Sequence, residues 1–313
     1  MLSDYLKTLK DIDDDTNEFI DILINIYKNE KINNNIDLNN LNIIHYENDI
    51  IIYGKDIPLY KSLSYFNEVP IFNEKQAITF LKKNNIDPSV KLIDMPYNER
   101  IHFGRLILNK IISKIPPEYV EYSPKLIFGQ SYYLKIDDGY YDLNEYVSKL
   151  NMLYKLKKYR TIKKCVLNRH IPSDKDVLEY KKGLAKSLKN FKKFLNDNGV
   201  SNGFISINNK NYPIQYVILN NGFIDKIKAL FGLGVPIEHI PFLVNVSYSL
   251  GNLDFLKMFF IFRTNFKSVD ICGKVPKLLY YKEKVSLKEH SLMGKYIYFG
   301  NIDFKTFKNM IKK

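Results

Sequence analysis

The chain has 313 residues, 45% of them hydrophobic, and a formal net charge of +13. That length and apolar share are enough to bury a core and argue against wholesale disorder. With 24 Tyr, 20 Phe and no Trp, and with Asn, Ile and Lys abundant, the composition follows A/T-rich codons, as in a virus, phage or protozoan. Part of the lysine excess is therefore codon bias. Two distant cysteines, Cys165 and Cys272, sit in no CxxC pair and point to a reducing, intracellular setting.

The chain starts with a helical pattern over 3–31, carried by Tyr5, Leu6, Leu9, Ile12, Phe19, Ile20, Leu23 and Ile26. Its charges stand where a signal peptide needs an apolar stretch, so secretion is not expected. "LNIIHYENDIIIYGKDI" reads as two β-rich runs forming a hairpin around "END". "NEKQAITFLKKNNIDP" predicts a short helix ending at Asn84–Asn85, and "ERIHFGRLILNKIISKIPPEYV" a longer one stopped by Pro116–Pro117. "KLIFGQSYYLKIDDGYYDLNEYV" predicts two strands around Asp138–Gly139, a dipeptide that type I′ turns favour.

Charge is unevenly distributed. Residues 1–50 hold eleven Asp/Glu against four Lys, a balance of −7, whereas residues 149–193 hold fifteen Lys/Arg against three acids, a balance of +12. Such asymmetry points to different partners for the two regions, or to contact between them. "KLNMLYKLKKYRTIKKCVLNRH" interleaves cations with aromatics. "VLEYKKGLAKSLKNFKKFLNDNG" then predicts an amphipathic helix with Leu184, Leu188, Phe191 and Leu195 on one stripe and a stop at "NDNG". Ser173 or Asp174 is its expected N-cap. Lys155, Lys157, Lys158, Arg160, Lys163, Lys164, Lys182, Lys186, Lys189 and Lys193 are the candidate phosphate contacts, with Tyr154 and Tyr159 available to stack on bases.

Beyond Asn211 the reading is helical. "NYPIQYVILNNGFIDKIKALFGLGVPI" and "IPFLVNVSYSLGNLDFLKMFFIFRTNF" each place a Pro before an apolar stretch, then Gly, x-[IL]-D and a second apolar stretch. Aligning Gly222 with Gly251 gives an offset of 29 residues. A third start follows in "DICGKVPKLLYY", with Asp270, Gly273 and Pro276. This pattern resembles ankyrin repeats, although no closing Gly follows the second unit. The resemblance implies stacked helix pairs that bind another protein through their loops and concave face. The tail, with Tyr296, Tyr298, Phe299, Phe304 and Phe307, is expected to dock on this stack.

The expected fold class is α+β: a mixed α/β region over 1–148, a basic helical segment over 149–200, and a predominantly helical, ankyrin-like hairpin array over 201–313. Three catalytic readings do not fit the residues. Lys135-Ile-Asp-Asp-Gly139 is one residue too long for a K-x-D-G nucleotidyl-transfer motif. Glu179-Tyr-Lys181 lies on a helix rather than the strand that a nuclease E-x-K needs. The five histidines show no metal-ligand spacing. No catalytic residue, cofactor or metal is assigned. The apolar run "FLKMFFIF" is far short of the ~20 residues of a membrane span, so no membrane partner is expected. The leading expectation is a non-enzymatic interaction or assembly protein whose partner is another protein. The alternative is nucleic-acid binding through 149–193, and a third reading is an enzyme whose site is assembled from distant residues.

Overall fold

A computed structural model describes residues 1–313 except 11, 29, 33–34, 67–68, 70–71, 137–138, 208–209, 221–257, 266–267, 276, 284–294, 304, 306–308, 310 and 313. It shows an α+β protein of two compact units, Met1–Glu179 and Tyr180–Lys313.

The first unit opens with α1 (Leu2–Lys7) and α2 (Asp14–Lys28), so the expected single helix is split. Asp13 causes the break: its carboxylate accepts from the Thr16 N–H at 2.7 Å and caps the start of α2. Six residues of α2, from Phe19 to Ile26, are buried. Next come β1 (Ile43–Ile50), α3 (Leu59–Ser64), α4 (Glu74–Lys83) and α5 (Tyr97–Ile112). In α4 the Asn73 and Gln76 side chains exchange hydrogen bonds with each other's backbone N–H at 2.9 Å, a reciprocal cap. The end predicted for α4 holds, with Asn84 as C-cap and Asn85 at φ +56°; α5 already ends at Ile112, ahead of the stop expected at Pro116–Pro117, and a 3-10 segment begins at Pro117.

A three-stranded antiparallel sheet, in the order β1, β2 (Phe128–Ile136), β3 (Gly139–Asp142), organises this unit. β2 and β3 form the expected hairpin, with Ile136 opposite Gly139; residues 137–138 lie outside the described set. The hairpin expected around "END" is not formed. β1 instead runs through those residues as one strand, with a register shift between Tyr46 and Asp49. The extra residue of this bulge turns Asp49 inward beside Ile50, and both are fully buried.

The two sheet faces differ. Ile43, Tyr132 and Leu134 join a core built with α1, α2, α6 (Leu143–Lys155) and α7 (Tyr159–Leu167). Tyr146 of α6 lies 6.1 Å from Phe19 of α2, centroid to centroid. The helix α5 packs against the strands at Gly104, where a Cβ would stand 2.6 Å from the Phe128 ring, and its Arg100 reaches Asp49 and the Tyr133 ring. Because α6 and α7 belong to this core, the domain boundary expected at 148 falls inside α6.

The helix α8 (Asp174–Asn198) begins in the first unit and continues into the second. Ser173 is its N-cap: its Oγ accepts from the Asp176 N–H at 3.2 Å, and the Asp176 carboxylate accepts from the Ser173 N–H at 3.0 Å. It stops as predicted at Gly199, with φ +72°.

In the second unit a six-stranded sheet follows the order β8, β7, β6, β5, β4, β9. Its members are β4 (Ser201–Ile207), β5 (Lys210–Asn220), β6 (Met258–Asn265), β7 (Ser268–Val275), β8 (Lys295–Asp303) and β9 (Ile311–Lys312). A short helix α9 (Lys277–Glu283) precedes β8. All pairings are antiparallel except β5 with β6. This corrects the helical reading of the described residues after 201. "NYPIQYVILN" is strand β5, most of "FLKMFFIFRTN" is β6, and the third repeat start is divided between β7 (270–275) and the helix α9 (277–281). The rest of the matched pair, 221–257, lies outside the described residues. The physical reason lies in the side chains: Tyr, Val, Ile and Phe in short apolar runs favour a pleated surface, and periodicity alone does not separate such runs from buried helix.

Candidate functional site

The basic helices show their chemistry through the angle each side chain takes around its axis. At 100° per residue, Leu184, Leu188, Phe191 and Leu195 of α8 fall within a sector of about 60°. Phe191 and Leu195 are buried, and Leu184 and Leu188 half-buried. Lys182, Lys186, Lys189 and Lys193 fall in a sector of similar width on the opposite side, and all four are exposed. Their alternating 4-3-4 spacing extends along about 16 Å of helix at 1.5 Å per residue. No Asp or Glu lies between Glu179 and Asp197, and among the described residues none of the four ammonium groups has an acidic partner.

The other predicted cations are less uniform. In α7, Ile162, Cys165 and Val166 point into the core, leaving Arg160, Lys163 and Lys164 exposed. Lys157 is exposed in the link before α7, with a left-handed φ of +57°. Lys158 is already engaged, its ammonium donating to the Asp176 carbonyl at 2.8 Å. Lys155 is half-buried at the end of α6. Tyr154 and Tyr159 form a cluster with Tyr5 of α1. Tyr159 lies 5.1 Å from Tyr5 and 5.7 Å from Tyr154, and the Tyr5 hydroxyl donates to the Tyr159 carbonyl at 3.0 Å.

A second constellation, on the face of the first sheet opposite the apolar core, escaped the sequence reading. Ser131 and Tyr133 lie two residues apart on β2, and Asp142 on β3 is directly opposite Tyr133, so all three share a face. The Lys55 ammonium reaches this face and is only 3% exposed. It donates to Ser131 Oγ and to the Tyr133 hydroxyl, each at 2.9 Å, and pairs with Asp142 Oδ2 at 2.7 Å. The Tyr133 hydroxyl in turn donates to Asp49 Oδ2, and Asp49 Oδ1 accepts from Arg100 Nε of α5 at 3.0 Å. Arg100 also donates through Nη1 to the Met95 carbonyl at 2.9 Å, and its guanidinium stands over the rings of Tyr46, Tyr97 and Tyr133 at 5.3–5.7 Å.

Asp142 also caps α6, its Oδ1 accepting from the N–H groups of Asn144 and Glu145. Glu145 Oε1 accepts from the Lys55 N–H at 2.5 Å. Burial, a hydrogen bond with Asp56 and the charges of Asp56 and Asp142 push the Glu145 carboxyl up to about 9, so it holds a proton at neutral pH. Burial and the Asp49 and Asp142 charges likewise push the Tyr133 phenol up. Gly54, with φ +80°, makes the turn that presents both the backbone and the side chain of Lys55 inward. With three acceptors around it, the Lys55 ammonium acts as a clamp between β2, β3 and its own loop.

Two sequence signals pointed towards this centre. The spacing Asp142-Leu-Asn-Glu145 places an acceptor three residues before a carboxyl, as in a capped helix start. Ser131 and Tyr133 alternate with apolar neighbours. Nothing local connects these residues to Asp49, Lys55 or Arg100, which arrive by tertiary folding. The set-aside motifs stay apart from it: Lys135 is exposed on the hairpin, and Glu179 and Lys181 are exposed on α8. His45 stacks on Tyr132 at 4.5 Å, and His102 and His170 are exposed; His239 and His290 lie outside the described residues.

Among the described residues no helix is long and apolar enough to cross a membrane. No family model matches the chain. It is 42% identical over 302 residues to the protein named "Uncharacterized protein MJ1071" of the archaeon Methanocaldococcus jannaschii, a match covering 96% of this chain and 95% of that protein. At that identity, over nearly the whole of both chains, the protein belongs to the same family as the archaeal one.

Proposed function

We propose that the protein binds nucleic acid, with the lysine stripe of α8 as its main phosphate-contacting surface and the exposed cations of α7 as a second one. The observation that carries this reading is the opposition of the two α8 stripes. Four ammonium groups project from one side of a helix whose other side is buried or half-buried, and no acid lies between Glu179 and Asp197, the stretch that carries them. A lysine face of this kind needs no side-chain rearrangement to meet a run of phosphates. Along 16 Å it faces about five phosphates of one duplex strand at 3.4 Å per charge. A polyanion matches this uniform charge better than a globular partner, whose surface mixes both signs.

The test is affinity as a function of salt. With four phosphates neutralised, log K is expected to fall against log[salt] with a slope of about −3.6 on duplex or about −2.8 on single strands. Changing Lys182, Lys186, Lys189 and Lys193 to Gln is expected to flatten most of that slope. An unchanged slope in this quadruple variant removes α8 as the interface. Tight, salt-sensitive binding to an acidic protein, with none to nucleic acid, replaces the reading with a protein partner.

A further inference from the structure

We infer that the Tyr5–Tyr154–Tyr159 cluster is a stacking platform for an unpaired base, which makes the ligand of the first unit a single-stranded nucleic acid. This inference rests on the nucleic-acid reading above. Three elements supply the cluster: Tyr5 from α1, Tyr154 from the last turn of α6 and Tyr159 from the first turn of α7. Tyr5 and Tyr154 are partly buried and pack against the apolar core, so the base of the cluster is fixed. Tyr159 sits on top and is 41% exposed. Its two ring neighbours are tilted or edge-on, at 42° and 68°, rather than stacked on it. The Tyr5 hydroxyl further holds its backbone. An exposed ring held in place in this way loses little conformational freedom when a base covers it.

The surrounding charge selects the occupant. Lys157 precedes the ring in a left-handed turn, Arg160 follows it, and Lys163 stands one helical turn on, about 40° away around α7; all three are exposed. Cations beside an aromatic face provide the two contacts that single strands need, phosphate neutralisation and base stacking. A base in a duplex is stacked on its neighbours and cannot lie on Tyr159 without first leaving the helix. The platform therefore discriminates by strandedness, whereas the α8 lysines act on any phosphate chain.

Fluorescence anisotropy of the full chain with labelled 20-nucleotide dT and rU strands, and with a 20-base-pair duplex, tests this. Tyr159→Ala is expected to weaken single-strand binding about tenfold while leaving duplex affinity and the salt slope as in the wild type. Tyr159→Phe, which keeps the ring, is expected to retain the single-strand affinity. Independently, 2-aminopurine within the strand is expected to lose fluorescence on binding to the wild type and to Tyr159→Phe. This readout holds even if the alanine variant folds poorly. Equal weakening of single strand and duplex by Tyr159→Ala, or unquenched 2-aminopurine in the bound complex, overturns the platform and leaves the α8 interface standing. Failure of the wild type to bind any of the three probes overturns both. The dT and rU arms separate a DNA ligand from an RNA one.

Discussion

Replacing Glu145 by Gln is expected to stabilise the protein at neutral and alkaline pH. The Glu145 carboxyl is pushed from an ordinary 4.5 up to about 9, first by burial, then by its hydrogen bond to Asp56 and the negative charges of Asp56 and Asp142. Between those two values the folded chain holds a proton that the unfolded chain has released. The favourable contribution is therefore whole below about 4.5 and is lost as pH rises towards 9. The loss runs at about 1.4 kcal/mol per pH unit, reaching about 3 kcal/mol by pH 7. Gln keeps the acceptor that receives the Lys55 N–H, offers Asp56 a donor and carries no titrating charge. Urea unfolding followed by far-UV circular dichroism at pH 5, 6, 7 and 8 measures the effect. The stability of Glu145→Gln relative to wild type is expected to rise by about 2–3 kcal/mol from the lowest pH to pH 7. Asp56→Asn removes the neighbouring charge and should shrink the wild-type pH dependence. A wild-type/Gln difference that stays constant across the series would refute the buried, proton-holding carboxyl.

Asp49→Ala leaves the Arg100 guanidinium and the Tyr133 hydroxyl without their shared acceptor. It is expected to cost about 3–5 kcal/mol, measured by the same unfolding assay, and a cost below about 1 kcal/mol would show that the pair is hydrated. Gly104→Ala puts a methyl 2.6 Å from the Phe128 ring and should cost about 1–3 kcal/mol, recovered in part by Phe128→Leu in a double-mutant cycle. Any single Lys→Gln on the α8 stripe should reduce the salt slope by about 0.9 on duplex DNA without altering thermal stability, because the replaced group is exposed and unpaired. A loss of stability in these single variants would show that the stripe supports the fold instead.

The parts legible from sequence were those whose physics is local. The amphipathic order of α8, its start at Ser173 and its stop at Gly199 follow from stripe periodicity, a capping side chain and a residue that tolerates positive φ. The end of α4 at Asn84–Asn85 rests on an equally short-range preference, since Asn tolerates the positive φ found at Asn85. The β2–β3 hairpin was readable because turn residues divide two alternating runs. What failed was the choice between helix and strand for short apolar runs, as in 211–220 and 258–265. A strand's stability depends on the partner it finds, and β5 pairs with β6 across 37 residues that separate them in the chain.

The sequence alone determined where positive charge collects, and the period of α8 placed that charge opposite the buried stripe. Only the tertiary structure decided which cations stay free. It tied Lys158 to the Asp176 carbonyl and drew Lys55 wholly inside, while Lys182, Lys186, Lys189 and Lys193 remained outside. The buried centre is likewise a product of folding. Asp49, Lys55, Arg100, Tyr133 and Glu145 are separated by up to 96 residues and meet because a bulge in β1, a glycine turn and the close approach of α5 at Gly104 direct them to one sheet face. Ion pairing depends on distance in space, and no spacing along the chain encodes it.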